Sequence, residues 1–328
     1  MAAERYERAA RDAWASLERG TFGTGWFRFA VREGPRTRTT ASLWTLTHAL
    51  AAAGDLSALG EDPGLARLLG LLPRFRADEG YLPTPGARLR YYDDNAWLGL
   101  LSLRLAVRTG DREHHRRAER IARFLRGGIH PEGGVRWREG HESRNACSTA
   151  PTAELFVALA GSDGPALATT LAAWIDGTLV RDDGLIADRI EGTTIERTAW
   201  SYNQGAAIGL HRRLAAATGD PSFRARAVRL AHASLDTFGP ERSWTEPQPF
   251  LVIWFREVLA LPEVADEARH RLVDHVDRVL ADGLDAQTGL FTAGGLGTYD
   301  GRSTIDQAAV IQLLALAAGA PPSPAGEA

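Results

Sequence analysis

Two aspartates stand next to each other at Asp93 and Asp94, within the run Tyr-Tyr-Asp-Asp-Asn-Ala-Trp at 91–97. Glycosidases use two carboxyl groups, one to protonate the leaving oxygen and one to attack or stabilise the anomeric carbon. Aromatic rings such as Tyr92 and Trp97 can hold the apolar face of a sugar. A plainer interpretation is a helix cap, because the free N–H groups of a helix N-terminus favour acidic residues. Where the pair lies in the fold decides between the two.

The pattern of apolar residues predicts a chain built almost wholly of helices. Apolar side chains recur at i, i+3, i+4 and i+7 through successive segments. Segments that are apolar nearly all round alternate with amphipathic ones, which indicates buried helices alternating with half-exposed ones. The predicted helices are 3–19, 39–53, 62–77, 94–109, 112–128, 148–160, 164–179, 201–218, 221–238, 248–260, 263–281 and 303–318.

An internal repeat indicates how these helices pair. The tripeptide Thr-Gly-Asp at 109–111 recurs at 218–220, where Gly would end one helix and Asp would cap the next. Turns within a pair are short and loops between pairs are long. We therefore predict an all-α fold, an (α/α)6 barrel of six helical hairpins over 1–318, followed by a disordered tail at 319–328. An open superhelical stack is the alternative, but its two ends would need polar caps.

In such a barrel the long loops meet at the N-terminal ends of the inner helices, where they can form one site. Amides, acids and rings cluster at these positions, as a carbohydrate site requires. Besides the residues named below, the candidates are Thr39 and Thr40 at a helix start and the loop residues Trp26, Phe27, Tyr91, His141, Trp200, Trp244 and Tyr299. Asn145, Asn203 and Gln204 are either caps or ligands of sugar hydroxyls, and Asp188 either fixes its loop or binds sugar. The predicted catalytic residues are Asp93 and Asp94, and the predicted substrate-binding residues are Tyr92, Trp137, Asn145, Asp188, Tyr202, Asn203 and Gln204.

Adjacent carboxyl groups cannot easily lie far apart, so the pair favours a retaining mechanism, in which the two groups are close. Like charges at that distance raise one pKa, which keeps one group protonated near neutral pH. No third acid lies nearby in sequence to complete a divalent-cation site, and we predict neither a metal nor any other cofactor.

Composition excludes several other classes of protein. The chain has 328 residues with a formal charge of −3, which gives no basic stripe for nucleic acid. One cysteine, Cys147, allows no internal disulfide, and we expect it to be a small core residue. We find neither an apolar stretch long enough to span a membrane nor an export signal at the start of the chain. We expect a cytoplasmic monomer with a carbohydrate substrate.

Several motifs together resemble glycoside hydrolase family 76, the endo-α-1,6-mannanases. The resemblance runs from about Trp44 to Gln312, and its most specific part is the aspartate pair in 91–97 followed by Thr-Gly-Asp at 109–111. The other matching motifs are Gly-Gly-Val-Arg-Trp at 133–137, Arg-Asn-Ala at 144–146, Asp-Gly-Leu-Ile-Ala-Asp at 183–188, Tyr-Asn-Gln-Gly at 202–205 and Gln-Pro-Phe at 248–250.

The resemblance implies an (α/α)6 barrel that hydrolyses α-1,6-mannosidic bonds with retention. Asp93 would be the nucleophile and Asp94 the general acid/base, while Asn145, Tyr202, Asn203 and Gln204 would line the cleft. The chain departs from the family where Phe-Lys-Gly becomes Phe-Leu-Val at 250–252 and Lys-Asn becomes Arg-Asn at 144–145. Mannan, manno-oligosaccharides and glycolipid cores are the candidate substrates. Another α-glycosidase, a sugar epimerase and a glycan-binding barrel without turnover are the alternatives.

Overall fold

The structure is a computed structural model that describes residues 2–21, 41–159, 163–291 and 303–322. Its helices are α1 Ala2–Thr21, α2 Leu43–Ala58, α3 Leu65–Leu69, α4 Tyr92–Thr109, α5 Arg112–Arg126, α6 Ala146–Ala158, α7 Gly164–Thr178, α8 Ser201–Thr218, α9 Pro221–Thr237, α10 Pro240–Thr245, α11 Gln248–Leu259, α12 Ala265–Arg278 and α13 Thr304–Ala318. The strands are β1 Arg76–Ala77, β2 Gly80–Tyr81, β3 Arg144–Asn145, β4 Arg189–Glu191, β5 Thr194–Glu196, β6 Leu284–Asp285 and β7 Leu290–Phe291.

Six helices form a closed inner ring. Helix α2 packs against α4, α4 against α6, α6 against α8, α8 against α11, α11 against α13, and α13 returns to α2. The last contact closes the ring, so the fold is a barrel and not an open stack. The predicted (α/α)6 barrel is confirmed. At one contact, between α8 and α11, a Cβ on Gly205 would lie 2.7 Å from the Cα of Trp254, so only glycine allows this approach.

Outer helices cover the ring, as the alternation of apolar and amphipathic segments predicts. Helices α5, α7, α9 and α12 each pack on the inner helix that precedes them, and α1 packs on α13. Every residue of α13 from Thr304 to Leu316 is buried, whereas α5 buries a face that includes Ala118, Ile121 and Leu125. Burying a leucine or isoleucine side chain stabilises the fold by about 1.5–3 kcal/mol, so this stripe fixes α5 on the barrel.

One helix prediction is wrong. The segment predicted as a helix over 62–77 instead holds the short α3, a 3₁₀ turn at Leu72–Phe75 and strand β1, which pairs with β2. Gly64 adopts a left-handed conformation just before α3, and Pro73, which lacks a backbone N–H, begins the 3₁₀ turn. These residues break a segment whose apolar spacing alone resembles a helix. The structure also has the short helix α10, which the sequence did not indicate.

The repeated Thr-Gly-Asp turns adopt matching conformations, as predicted. Gly110 and Gly219 end α4 and α8 with φ angles of 70° and 72°. Asp111 and Asp220 then cap α5 and α9, each accepting a backbone N–H bond of 2.8 Å from the residue two positions later. Glycine is the residue that adopts this left-handed conformation without steric cost.

Amide side chains fasten the loops to the barrel mouth. Asn95 on α4 accepts the N–H of Tyr81 at 2.8 Å and donates to its carbonyl at 2.9 Å. Gln204 on α8 holds Ile186 in the same way, at 2.8 and 3.0 Å, and Gln307 on α13 holds Phe291 at 3.0 and 2.7 Å. Each amide thus satisfies both backbone groups of one loop residue, which would otherwise be buried without partners.

The opposite end of the barrel is closed in part by the residues after α13. Ala320 is buried, and the carbonyls of Pro321 and Pro322 accept bonds from Arg108 and Arg256, each of 3.4 Å. Residues 319–322 of the predicted tail are therefore in contact with the barrel. Residues 323–328 lie outside the described part of the chain, and the domain boundary stays a prediction.

Candidate active site

A cleft of about 810 Å³ opens at the N-terminal ends of the inner helices. All six inner helices contribute to it through residues at or near their first turns, as the barrel prediction requires. This volume lies within the range of small-molecule sites. The lining residues are Ser42, Trp44, Pro83, Tyr91, Asp93, Asp94, Trp97, Trp137, His141, Ser143, Asn145, Cys147, Asp188, Arg189, Glu191, Trp200, Tyr202, Pro247, Pro249, Phe250 and Ile305.

Asp93 lies in the first turn of α4 and is held by three donors. Its Oδ2 accepts a bond of 3.0 Å from Nε1 of Trp137, and its Oδ1 accepts one of 2.9 Å from the backbone N–H of Asp94. The Cys147 thiol lies 3.7 Å from Oδ2. Burial raises the pKa of Asp93 to about 6, against the lowering effect of these hydrogen bonds. The carboxyl is thus fixed in orientation and ionised at neutral pH.

Asp94 lines the same cleft in a different environment. Burial, and then the negative charge of Asp93, raise the pKa of Asp94 well above its usual value. No side chain in the described ranges donates a hydrogen bond to its carboxyl group. No hydrogen bond from a side chain therefore favours its ionised form, and the group holds a proton more strongly than its neighbour does.

The two acids differ in the way that an acid–nucleophile pair requires. One carboxylate is ionised, oriented by hydrogen bonds and able to attack. The other, whose pKa is raised well above its usual value, holds its proton more strongly and can donate it to a leaving oxygen. Because both lie in the first turn of one helix, they reach the same part of the cleft. The arrangement can therefore break an acetal bond by combined protonation and attack.

Trp137 is held in place as a donor to Asp93. Its ring meets Tyr91 edge-on at 5.0 Å and His141 edge-on at 5.8 Å. Its backbone is tied to both sides of the site, because its carbonyl accepts a 2.9 Å bond from the N–H of Tyr92 and its N–H donates a 3.0 Å bond to Ser143. Trp137 therefore lines the cleft, as predicted, and also orients a carboxylate.

The opposite wall of the cleft combines aromatic rings with a carboxylate, Asp188, that accepts a hydrogen bond on each oxygen. Tyr202 stacks on Phe250 at 3.9 Å, and Trp200 meets the same ring at 5.6 Å. Asp188 accepts a 2.8 Å bond from Arg189 on one oxygen and a 3.2 Å bond from the Asn203 amide on the other. Burial raises the pKa of Asp188. This wall offers flat surfaces and a fixed acceptor for hydroxyl groups.

Asn145 lies between these walls, at the N-cap of α6, and its Oδ1 accepts a 3.0 Å bond from the hydroxyl of Ser143. Cys147 follows it on α6 and is buried. Burial and the charges of Asp93 and Asp188 raise the pKa of this thiol well above its usual value, so it remains protonated and acts as a weak donor to Asp93. The prediction of a plain core cysteine missed this contact.

Three residues predicted to bind substrate lie outside the lining of the cleft. Tyr92 is buried and stacks on Phe124 of α5 at 4.9 Å, so its neighbour Tyr91 faces the cleft in its place. Asn203 is buried behind Asp188 and holds that carboxylate, and Gln204 is occupied in binding the backbone of Ile186. Trp137, Asn145, Asp188 and Tyr202 do line the cleft, together with both predicted catalytic acids.

The other loop residues predicted to lie at the site fall into two groups, those that line the cleft and those that do not. Tyr91, His141 and Trp200 line the cleft, whereas Trp244 packs against Arg278 at 4.2 Å, away from it. Trp44, Arg189 and Glu191 are lining residues that the sequence did not single out. Trp26, Phe27, Thr39, Thr40 and Tyr299 lie outside the described residues.

Among residues 2–21, 41–159, 163–291 and 303–322, no group of three or more histidine, cysteine, aspartate or glutamate side chains could hold a metal ion. Within the same ranges, no helix is both long and apolar enough to cross a membrane.

Known families and structures agree with this geometry. The family model of glycosyl hydrolase family 76 matches residues 38–249, which is most of the chain. The chain belongs to this family. Family membership makes it a glycoside hydrolase, and the aspartate pair, the Trp137 loop and most of the opposite wall lie within the matched residues. No curated protein sequence matches this chain.

Solved structures similar to this family member share its fold. A family 76 mannosidase, Bt3792 from Bacteroides thetaiotaomicron VPI-5482, is 19% identical with a TM-score of 0.82, covering 96% of this chain and 98% of that one. An inactive variant of the α-1,6-mannanase GH76A of Salegentibacter sp. HEL1_6, with two adjacent aspartates changed to asparagine and α-1,6-mannotriose bound, is 20% identical with a TM-score of 0.79, covering 95% and 99%. Dfg5 from Chaetomium thermophilum, in complex with glucosamine, is 18% identical with a TM-score of 0.73, covering 97% and 92%.

Proposed function

We propose that this glycoside hydrolase cleaves α-1,6-mannosidic bonds with retention, with Asp93 as nucleophile and Asp94 as general acid/base. The unequal environment of the two acids is the observation that carries the proposal. Three donors orient Asp93 and oppose the rise in its pKa, whereas Asp94 combines burial with the adjacent charge and keeps its proton. The first acid is thus prepared to attack and the second to donate.

The reaction follows in two steps. Asp94 gives its proton to the glycosidic oxygen while an oxygen of Asp93 bonds to the anomeric carbon, and the leaving sugar departs as an alcohol. Asp94, now ionised, takes a proton from water, whose oxygen attacks the anomeric carbon and releases Asp93. Two inversions restore the original anomeric configuration. Tyr91, Trp137 and Tyr202 offer ring faces to the sugar during both steps.

The linkage is proposed from the relative that binds α-1,6-mannotriose, and its paired aspartate substitutions parallel the pair in this chain. The test is incubation with α-1,2-, α-1,3-, α-1,4- and α-1,6-linked manno-oligosaccharides, with NMR detection of the first anomer released. We expect α-anomer from the α-1,6 series alone. Initial β-anomer would contradict retention, and cleavage of another linkage in preference would contradict the substrate. Asp93→Asn and Asp94→Asn are the control variants, and normal turnover by Asp93→Asn would contradict the assignment of the nucleophile.

A second candidate is a mannoside that carries an amino sugar, as in a glycolipid core. Carboxyl groups from Asp93, Asp94, Asp188 and Glu191 line the cleft with the single guanidinium of Arg189 among the described residues. An acidic cleft attracts a protonated amine, and the relative Dfg5 was solved with glucosamine. Adding an α-mannosyl-glucosamine to the panel separates the candidates, because a kcat/KM above that of α-1,6-mannotriose would favour the amino sugar.

A further inference from the structure

A second, smaller cavity of about 60 Å³ lies among the inner helices, beyond the floor of the cleft. Trp44 and Trp97 line both spaces, with ring centroids 6.1 Å apart, so this pair separates the cavity from the cleft. The remaining lining residues are Thr47, His48, Ala51, Leu100, Leu101, Arg104, Glu154, Arg213, Ile253, Arg256, Glu257 and Gln312.

Positive charge predominates around this cavity. Asp55 pairs with Arg108 at 3.0 Å and with Arg256, which also lines the space. Beyond these, Glu154 pairs with Arg213 at 2.6 Å, and Glu257 pairs with Arg212 at 3.1 Å and with Arg213 at 3.5 Å. Each of these three carboxyl groups therefore already has an arginine partner. The described residues of this cluster comprise five arginines and three carboxyl groups.

Arg104 is the arginine of this cluster without a direct partner. It lines the cavity from α4, and within the described residues its guanidinium makes no hydrogen bond and no ion pair, although the carboxylates of Asp55 and Glu257 act on it at longer range. Arginine stays charged at neutral pH, and a half-buried charge with no contacting acceptor is unfavourable. An acceptor of negative charge inside the cavity would offset this cost.

Two further donors have no partner on the cavity wall. Nη2 of Arg256 donates to Oε1 of Gln312 at 3.1 Å, which fixes the orientation of that amide. Nε2 of Gln312 therefore donates to Nδ1 of His48 at 3.1 Å, and the ring proton of the neutral histidine lies on Nε2. That Nε2 and the hydroxyl of Thr47 are both buried without a hydrogen-bond partner. Buried polar groups in this state call for a ligand or ordered water.

We propose that the cavity binds one small monovalent anion, a halide such as chloride, through Arg104, His48 and Thr47. All three present donors, which favours an anion over a cation. A cavity this size holds a monatomic ion with a few waters but no sugar. Bound halide would neutralise Arg104 behind the tryptophan pair that forms the floor of the cleft.

The test measures thermal unfolding of the whole protein in sodium bromide and in sodium gluconate at equal ionic strength, since gluconate is too large for the cavity. We expect bromide to raise the Tm by roughly 2 °C at ten times its Kd, with gluconate ineffective. Arg104→Met should lose the bromide effect, and Arg116→Met, a change at an exposed arginine of α5, should keep it. Equal effects of the two salts, or an undiminished bromide effect in Arg104→Met, would overturn the proposal.

Crystals of the unmodified protein grown in bromide give a second measurement that does not depend on the folding of a variant. An anomalous bromine peak beside Arg104 supports the site. Water alone in the cavity, or bromide found only on the surface, refutes it.

Discussion

The hydrogen bond from Trp137 to Asp93 should set the acid limb of the pH–rate profile. As the proposed nucleophile, Asp93 must be ionised to attack, and its pKa lies at about 6, so the rate should fall as the pH drops through 6. The 3.0 Å bond from Nε1 of Trp137 favours the ionised form. A hydrogen bond to a charged group contributes about 1.5–3 kcal/mol, and one pKa unit corresponds to about 1.4 kcal/mol. Trp137→Phe should therefore raise the pKa of Asp93 by about 1–2 units.

The assay is kcat/KM for α-1,6-mannotriose between pH 4 and pH 9. The acid limb should move from about 6 to about 7–8, which at pH 6 lowers the rate roughly 5- to 50-fold. Phenylalanine keeps a ring between Tyr91 and His141, and the backbone bonds of residue 137 to Tyr92 and Ser143 do not depend on the indole. The change therefore removes chiefly the donor.

Trp200→Phe is the matched control, because Trp200 lines the same cleft and makes no hydrogen bond to Asp93. Its substitution can weaken substrate binding at every pH but should leave the acid limb in place. If Trp137→Phe shifts the limb by less than 0.3 unit, or no further than Trp200→Phe does, Trp137 does not control the ionisation of the nucleophile.

Three further changes test other parts of the structure. Asp94→Asn should lower turnover about 10²–10⁴-fold. It should also raise the free energy of unfolding at pH 7, because stability is lost as the pH rises from the ordinary aspartate pKa towards the raised pKa of Asp94; denaturant melts at pH 7 and pH 3.5 should show this gain only at pH 7. Gln204→Leu leaves two backbone groups unpaired and should cost about 2–4 kcal/mol in denaturant unfolding, whereas exposed Gln287→Leu should cost under about 0.5 kcal/mol. Asn203→Ala removes a donor to Asp188 and should lower kcat/KM about tenfold; an unchanged value would show that this bond does not position the carboxylate.

Much of the fold follows from the sequence because each inner helix repeats the same physical pattern. Apolar side chains all round predict burial, and Gly-Asp turns predict tight connections, as 110–111 and 219–220 show. The prediction over 62–77 was wrong because apolar spacing there continues across Gly70 and Pro73, which interrupt the helical backbone. The packing of α1 on α13 joins two ends of the chain, and no local signal encodes such a contact.

The position of the two acids in the cleft was predictable, whereas the residues that line the cleft were harder to distinguish from those that support it. Tyr91 and Tyr92 are the same residue type, and only the start of α4 at Tyr92 turns one ring to the cleft and the other to Phe124. An amide such as Gln204 has the same chemistry whether it binds a hydroxyl or a loop backbone. Its partner Ile186 is distant in sequence, so spacing cannot show which it binds.

The raised pKa values of the acid pair indicate which physical effect controls the site. A helix N-terminus stabilises a nearby negative charge by up to about 2 kcal/mol, which would lower a pKa by about 1.5 units. Hydrogen bonds to Asp93 act in the same direction. Both pKa values are nevertheless raised, so burial outweighs the helix and the donors. Burial in the cleft, rather than the helix cap suggested by sequence, therefore favours the protonated form of Asp94, as its proposed role of general acid requires.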